Sequence, residues 1–289
     1  MSEALEVRAE ILKLSRLLER DPAELEYLSS VSPRDLRALR EQIVEMLFTE
    51  HGQALSRVAA SSRALPVALV AKIGEWAFGP VMSAHVAALL DPDRAVQMAD
   101  RLPTPFLAEV AIEIDPRRTT QLIARIPPHR IADISRELSR RGEYVTLGRF
   151  VGHLGDQSLR AGIETVDDAT LLQVAFVLEE KDSLDRLVSL LGNDRLDGLI
   201  DAAAAADLWP EALDLLSHLS PAHRAEFAER TASRDDAVID SLLTAAVRED
   251  LWEALEPLNR ALSEQGRRRF AERAQAVGLG DRLEELGLG

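Results

Sequence analysis

Residues 90–128 read LDPDRAVQMADRLPTPFLAEVAIEIDPRRTTQLIARIPP, and this stretch continues a proline rhythm that begins at residue 66. A proline is tolerated in the first turn of a helix, where its missing N–H has no helical partner, but it breaks a helix interior. The rhythm therefore predicts successive short helices of about ten residues, each beginning at a proline. The prolines that set it are Pro66, Pro80, Pro92, Pro103, Pro116 and Pro127.

The same stretch contains an internal repeat with an offset of 24 residues. Asp91-Pro92 aligns with Asp115-Pro116, and Arg101-Leu102-Pro103 aligns with Arg125-Ile126-Pro127. Each copy predicts two helices, the first with Asp as its N-cap and Pro at its first position. We assign residues 63–141 to these two-helix repeats.

A second repeat, with an offset of 43 residues, occupies the C-terminal third. Asp207-Leu208-Trp209 recurs as Asp250-Leu251-Trp252, with a one-residue slip at Pro210 that is later compensated. We interpret both aspartates as helix N-caps. A period of this length is typical of HEAT and armadillo arrays, so we assign residues 142–289 to three-helix repeats of that kind. The predicted helices are 194–206, 208–218 and 221–232 in the first copy, and 235–249, 251–261 and 263–276 in the second.

Residues 1–62 show no repeat. Ser32-Pro33 starts a predicted helix with Leu36, Leu39 and Ile43 on one apolar stripe. This segment is either an N-terminal helical cap on the repeats or, through residues 33–50, a homodimer contact. Helices this short are unstable alone and bury their apolar stripes by stacking. We therefore expect an all-α fold, an α-solenoid, with a compact helical bundle as the alternative.

Composition and motifs exclude several classes of function. The net charge of −15 argues against nucleic-acid binding, which requires a basic surface. The absence of cysteine removes thiol catalysis and thiolate metal sites. The most apolar stretch, residues 65–90, is interrupted by charges, glycine and proline, so we expect no membrane insertion and a cytoplasmic protein. No catalytic motif or histidine pair with metal-ligand spacing is present, and we expect neither an enzyme nor a cofactor.

Arginines are concentrated between residues 101 and 141, where they reverse the local charge of an acidic chain. They form either a solvated face paired with Glu113, Asp133 and Glu137 or a docking surface for an acidic protein partner, which is the interpretation that we adopt. The predicted partner-binding residues are Arg101, Arg117, Arg118, Arg125, Arg130, Arg136 and Arg140.

A group of large apolar residues precedes the arginines: Trp76, Phe78, Met82 and Met98. They either pack in the core or line a pocket for a hydrophobic ligand. We keep the pocket as an alternative hypothesis.

The paired motifs Asp91-Pro92 with Arg101-Leu102-Pro103 and Asp115-Pro116 with Arg125-Ile126-Pro127 resemble the N-terminal superhelical domain of MgtE magnesium transporters. That domain is similar in turn to helical domains of the motor switch protein FliG. The resemblance covers roughly residues 65–140 and implies a right-handed superhelix used for regulation or docking. We therefore expect a non-catalytic interaction protein that binds a protein partner. The alternatives are a carrier or sensor of a hydrophobic small molecule and a regulator that responds to divalent cations.

Overall fold

The computed structural model is helical in every regular element that it describes. It describes residues 3–49, 60 and 65–282, with the backbone alone for residues 44–49. This confirms the all-α prediction. Contacts divide the chain into two compact units. We call residues 1–36 with 168–289 the terminal unit, and residues 37–167 the middle unit.

The helices are numbered in chain order. The first ten are α1 (Glu3–Leu18), α2 (Pro33–Thr49), α3 (Val67–Ile73), α4 (Gly79–Ala87), α5 (Pro92–Ala99), α6 (Thr104–Glu113), α7 (Thr120–Ile123), α8 (Pro128–Arg140), α9 (Tyr144–Phe150) and α10 (Asp156–Ile163). The remaining ones are α11 (Asp168–Phe176), α12 (Ser183–Leu190), α13 (Asn193–Ala205), α14 (Trp209–His218), α15 (Pro221–Ala232), α16 (Asp236–Arg248), α17 (Trp252–Ala261) and α18 (Glu264–Ala276). A π-helical turn, Gly74–Phe78, joins α3 to α4, and short 3₁₀ helices cover Pro22–Ser30, Val151–His153 and Gly280–Arg282.

The proline rhythm predicts helix starts correctly with one exception. Prolines stand at the N-cap or in the first two positions of α3, α4, α5, α6 and α8. After Pro116, however, the chain forms a turn, and α7 begins only at Thr120. The hydroxyls of Thr119 and Thr120 donate to the carbonyls of Asp115 and Pro116, 2.8 and 3.0 Å away. Such bonds compete with regular helix formation, and the first copy has Ala95 where the second has Thr119.

The helices of the middle unit pack in two series of neighbours. The first helices pack in the order α3, α5, α7, and the second helices in the order α4, α6, α8, α10. Helices α8 and α10 approach each other closely at Gly162. A Cβ atom added to this residue would lie 3.1 Å from Ser135 Oγ. Thr165 Oγ1 also donates to the carbonyl of Ala132 at 3.1 Å. These contacts place α9 and α10 in the middle unit, which ends at residue 167.

The six helices predicted for the 43-residue repeat are confirmed to within one residue at each end. Helices α13, α14 and α15 each begin 43 residues before α16, α17 and α18. Helices α14 and α17 both contain ten residues, so the predicted slip at Pro210 leaves the length of the helix unchanged. Pro210 fits because it occupies the first turn of α14.

The interpretation of Asp207 and Asp250 as N-caps is also wrong. Each has a left-handed backbone, with φ of 56°, and follows the end of α13 or α16. The next N–H, of Leu208 or Leu251, donates 2.9 Å back to the carbonyl of Ala203 or Ala246. This is a Schellman C-cap, in which the following leucine is buried against the helix. The Asp-Leu-Trp motif therefore ends one helix and begins the next at Trp.

We expect Asp250→Gly to raise the free energy of unfolding by about 0.5–1 kcal/mol, because glycine adopts the left-handed backbone without steric cost. Gly142 and Gly278 already occupy equivalent positions, with φ of 72° and 80°. Asp250→Val is expected to lower stability, since a β-branched residue is disfavoured there. Urea denaturation followed by circular dichroism measures both changes. A lower midpoint for Asp250→Gly would contradict this account of the motif.

The segment predicted as an N-terminal cap, residues 1–62, is divided between the two units. Helix α1 packs against α14 within the terminal unit, and Arg8 Nη2 lies 3.2 Å from Glu211 Oε1. Burial raises the pKa of Glu211, and the positive charge of Arg8 offsets part of that rise. The boundary between the units falls inside α2, after Leu36. Leu36 is buried and Leu39 is exposed, while residues 1–2, 50–59 and 61–62 of the predicted cap lie outside the described residues. The homodimer contact through residues 33–50 stays a prediction.

Candidate functional site

All seven predicted partner-binding arginines lie in the middle unit, and they fall into different structural roles. Arg130 is half-buried, and its Nη2 donates to the carbonyls of Ala99 and Leu102, at 2.6 and 2.8 Å. These carbonyls lie at the C-terminal end of α5, where a cation is favourable. Arg149 likewise donates to two carbonyls at the end of α6, those of Ile112 and Ile114. Sequence reasoning did not identify this residue. Arg130 therefore holds the repeats together.

The more exposed arginines are paired with acids of their own unit. Arg125 Nη1 lies 2.5 Å from Asp93 Oδ1, and Arg117 Nη1 lies 3.4 Å from Glu41 Oε1. The remaining pairs are Arg118–Asp115, Arg136–Asp133 and Arg140–Glu137, while Arg101 donates to the carbonyl of Gln97. Hydrogen bonds from Arg140 and Arg141 lower the pKa of Glu137 to about 2. The predicted docking face therefore carries charges of both signs. Its pairs with Asp133 and Glu137 are those of the alternative interpretation, a solvated face of paired charges.

One segment of the middle unit exposes many large apolar side chains. The segment covers residues 65–82, which include α3, the π-helical turn and α4, and Trp76 is its most exposed member, at 79%. We call its exposed apolar residues the apolar patch: Leu65, Leu69, Trp76, Phe78, Val81 and Met82. Three of its members were predicted as pocket residues, but the structure places them at the surface. Met98, the fourth, packs against the buried core of the unit.

The backbone of the apolar patch is irregular in a way that presents these side chains. The π-helical turn Gly74–Phe78 adds one residue to a helical turn, and it ends at Gly79, whose φ of 71° is in the left-handed region. Ser83 Oγ donates to the carbonyl of Gly74 at 3.3 Å and ties α4 to this turn. π-helical turns are rare and occur frequently at functional sites.

Charged and polar groups border the apolar patch. Lys72 Nζ lies 5.8 Å from the centre of the Trp76 ring, within cation–π range. Glu75 is half-buried beside it in the sequence. At the other edge, Arg94 Nη2 donates to the carbonyl of Leu65 at 2.6 Å. An apolar centre with a charged border is the arrangement found at protein–protein interfaces.

The terminal unit holds repeated ion pairs that sequence reasoning missed. Arg230 Nη1 lies 3.0 Å from Asp197 Oδ1, and 43 residues later Arg273 Nη2 lies 2.6 Å from Asp240 Oδ2. Side-chain hydrogen bonds to neighbouring acids raise the pKa of both arginines. These pairs connect α15 to α13 and α18 to α16, so they stabilise neighbouring helices and do not mark a ligand site.

A serine, a histidine and an aspartate meet at the start of α15. His223 Nδ1 lies 2.5 Å from Asp185 Oδ1, and Ser220 Oγ lies 3.4 Å from the same nitrogen. A catalytic triad places the serine and the acid on opposite ring nitrogens, so this geometry does not activate Ser220. Asp185 also accepts the backbone N–H of Ser220 at 3.0 Å. Burial favours a higher pKa for Asp185, but the hydrogen bonds from His223 and Ser220 outweigh it and hold the pKa below its usual value. The group caps α15.

The terminal unit also contains a small apolar cavity of about 30 Å³. Leu172, Leu199, Trp209, Phe227 and Leu258 are among the residues that line it. In residues 3–49, 60 and 65–282, no three His, Asp or Glu side chains gather in an arrangement that could hold a metal ion. None of the helices in the described ranges has the length and apolar character needed to span a bilayer.

No protein-family model, curated protein or solved structure matches the chain. The resemblance to the MgtE domain and to HEAT-like arrays therefore stays a prediction that rests on the quoted motifs.

Proposed function

We propose that this chain is a non-catalytic α-solenoid interaction protein that binds a protein partner through the apolar patch. The observation that carries the proposal is the exposure of six large apolar side chains within residues 65–82 of a chain with net charge −15. Contiguous apolar surfaces of this kind mark interaction sites, whereas single exposed apolar residues are ordinary.

The composition of the apolar patch favours a protein partner. Tryptophan is enriched among the residues that contribute most to binding energy, and Trp76 is 79% exposed at the centre of this sequence segment. Lys72, Glu75 and Arg94 supply the polar border that excludes water from such contacts. Among the predicted arginines, Arg125 forms an ion pair with Asp93, which directly precedes Arg94 in the sequence. We therefore propose Arg125 as part of this border, with Arg136 and Arg140 further along the same unit.

Affinity purification from a lysate of the source organism tests the proposal, with wild type, Trp76→Glu and Tyr27→Glu as baits. Tyr27 is the matched control, because it is 73% exposed but lies in the terminal unit. We expect Trp76→Glu to lose the proteins that wild type and Tyr27→Glu retain, since a buried charge opposes docking. Recovery of the same proteins by Trp76→Glu would contradict the site, provided that circular dichroism shows all three baits to be folded.

Arg125→Glu and Arg136→Glu test the contribution of the border in the same assay. Arg130 is left unchanged, because its bonds to Ala99 and Leu102 make it part of the fold.

A further inference from the structure

We propose that the terminal unit binds an arginine side chain of a basic protein segment at three acids, Asp207, Glu211 and Glu249, which we call the acidic site. This inference goes beyond the proposed function and does not depend on it, because the acidic site belongs to the terminal unit and the apolar patch to the middle unit. Three observations carry it: the division of charge between the units, the position of two of the acids beside helix C-termini, and a buried carboxylate oxygen without a partner.

The net charge of the chain is carried by one of its two units. Residues 37–167, the middle unit, contain sixteen lysine or arginine residues and sixteen aspartate or glutamate residues. The middle unit is therefore neutral, and the whole net charge of −15 belongs to the terminal unit. A concentration of negative charge of this kind attracts basic partners and accelerates their association.

Two members of the acidic site stand where the fold itself disfavours negative charge. Asp207 lies just past the C-terminal end of α13, and Glu249 lies at the end of α16. The C-terminal end of a helix carries partial negative charge, so it repels a carboxylate and attracts a cation. Arg248 Nη2 lies 2.7 Å from both Asp207 Oδ2 and Glu249 Oε1. One guanidinium shared by two acids leaves this group with a net negative charge beside two helix ends.

Glu211 adds a buried negative charge to the acidic site. Its side chain is 7% exposed, and its Oε1 lies 3.2 Å from Arg8 Nη2 of α1. The second oxygen, Oε2, is buried and has no hydrogen-bond partner among the described residues. Burial raises the pKa of Glu211, Arg8 offsets part of that rise, and the charges of Glu249 and Asp207 add to it. The three carboxylates therefore lie close enough to influence one another.

The repeat does not require an acid at position 211. Helices α14 and α17 each begin at a tryptophan and contain ten residues. The third residue of α14 is Glu211 and the third residue of α17 is Ala254, and both are buried. Equivalent helices thus pack equally well with alanine there. A buried carboxylate oxygen without a donor lowers stability, and its presence is explained if a ligand supplies the missing donor.

The missing donor has the chemistry of a guanidinium. An arginine donates two parallel N–H bonds to the two oxygens of one carboxylate, whereas a lysine ammonium is a point charge without this geometry. Arg8 reaches only one oxygen of Glu211, and its own side chain is 49% exposed, so it fills the acidic site incompletely. A partner arginine that replaces the Arg8 side chain can bond both oxygens, while Asp207 and Glu249 attract the basic residues beside it.

Isothermal titration calorimetry with hexa-arginine as the probe tests this inference on the full chain. We expect Glu211→Gln to weaken binding by at least about tenfold, because it removes a charge-assisted bidentate pair. Glu264→Gln is the matched control, since it removes one exposed charge of the same unit, and we expect it to change the affinity by less than about twofold. Hexalysine is expected to bind more weakly than hexa-arginine, and added salt to weaken both.

A second set of variants tests the acidic site without changing a buried residue. Asp207→Asn combined with Glu249→Gln removes two partly exposed charges, and asparagine is compatible with the left-handed backbone at residue 207. We expect this double variant to bind hexa-arginine at least about tenfold more weakly than wild type. Arg8→Gln is expected to strengthen binding, because it removes the guanidinium that competes for Glu211.

Two results would overturn the inference, provided that circular dichroism shows the variants to be folded. One is an equal loss of affinity in Glu211→Gln and Glu264→Gln, which would mean that hexa-arginine responds only to the total charge of the unit. The other is weaker binding by Arg8→Gln, which would mean that Arg8 does not occupy the place of the ligand.

Discussion

Lys181→Met is expected to lower the free energy of unfolding by about 3–4 kcal/mol at neutral pH, as expected when one partner of a buried ion pair is removed. Lys181 Nζ lies 3.0 Å from Asp214 Oδ2 and also donates to the carbonyl of Phe176 at 2.7 Å. Asp214 is only 3% exposed, so methionine leaves a buried carboxylate without its cation. The lost bond to Phe176 also removes a cation from the C-terminal end of α11, where it is favourable.

The pH dependence of this loss has a defined sign. In the wild type, burial favours a higher pKa for Asp214, but His218 and Lys181 together hold the pKa below its usual value. That contribution to stability is present above the unfolded pKa and is lost as the pH falls through the folded value. Without Lys181, His218 alone opposes the effect of burial, so the pKa of Asp214 in the folded variant lies above its value in the folded wild type. The difference in stability between wild type and Lys181→Met should therefore shrink as the pH falls.

Chemical denaturation over a range of pH measures this prediction, and the double variant Lys181→Met with Asp214→Asn is its control. The double variant removes the unpaired charge, so we expect it to recover a part of the stability lost by the single variant. A loss that stays constant with pH and that the second change does not reduce would mean that packing of the lysine stem, and not charge, dominates.

The sequence predicted the helices well where the same residues recur at regular intervals. Proline and aspartate recur at fixed offsets because each helix must begin with a residue that tolerates or satisfies its unbonded N–H groups. The 43-residue repeat predicted helix ends to within one residue, because equivalent residues end equivalent helices. The prediction of a helix at Pro116 is wrong, because a proline is compatible with the start of a helix but does not require one. The hydroxyls of Thr119 and Thr120 bond the carbonyls of Asp115 and Pro116 and favour a turn there.

The roles of Asp207 and Asp250 depend on a bond that the sequence does not show. An aspartate before an apolar helix fits an N-cap, and it equally fits a left-handed residue after the preceding helix. The bond from Leu208 N–H to the carbonyl of Ala203 selects the second role. A leucine directly after the aspartate is the signal that was available, since a Schellman cap buries an apolar residue at that position.

Individual arginine roles and the apolar patch could not be predicted from the sequence, for a common physical reason. Arg130 bonds carbonyls 28 and 31 residues earlier, so its role depends on which helix ends meet. Trp76 and Met82 are residue types that are common in protein cores, and only the folded structure shows that both are exposed. Local pattern fixes which residues are apolar, whereas tertiary packing decides which of them are buried.

Phe270→Ala is expected to cost about 4 kcal/mol and to separate the unfolding of the two 43-residue repeats. Phe270 is fully buried in α18, which packs against α15 and α16. The repeats carry one tryptophan each at equivalent positions, Trp209 and Trp252. Variants that carry Trp76→Phe and keep only one of these two tryptophans report on one repeat at a time by fluorescence.

Stacked repeats are stabilised mainly by their nearest neighbours, so a loss confined to the second repeat acts there first. We expect the Trp252 signal of Phe270→Ala to change at lower urea than the Trp209 signal, whereas both signals coincide in the parent protein. Phe227→Ala, at the equivalent position of the first repeat, is the matched control. Phe227 lies in α15, which packs against both α17 and α18. Loss of the Phe227 ring therefore weakens the second repeat as well, and both signals should shift together. Coincident transitions in Phe270→Ala would show instead that the terminal unit unfolds as a single cooperative body, in which the 43-residue repeat is a feature of structure but not of stability.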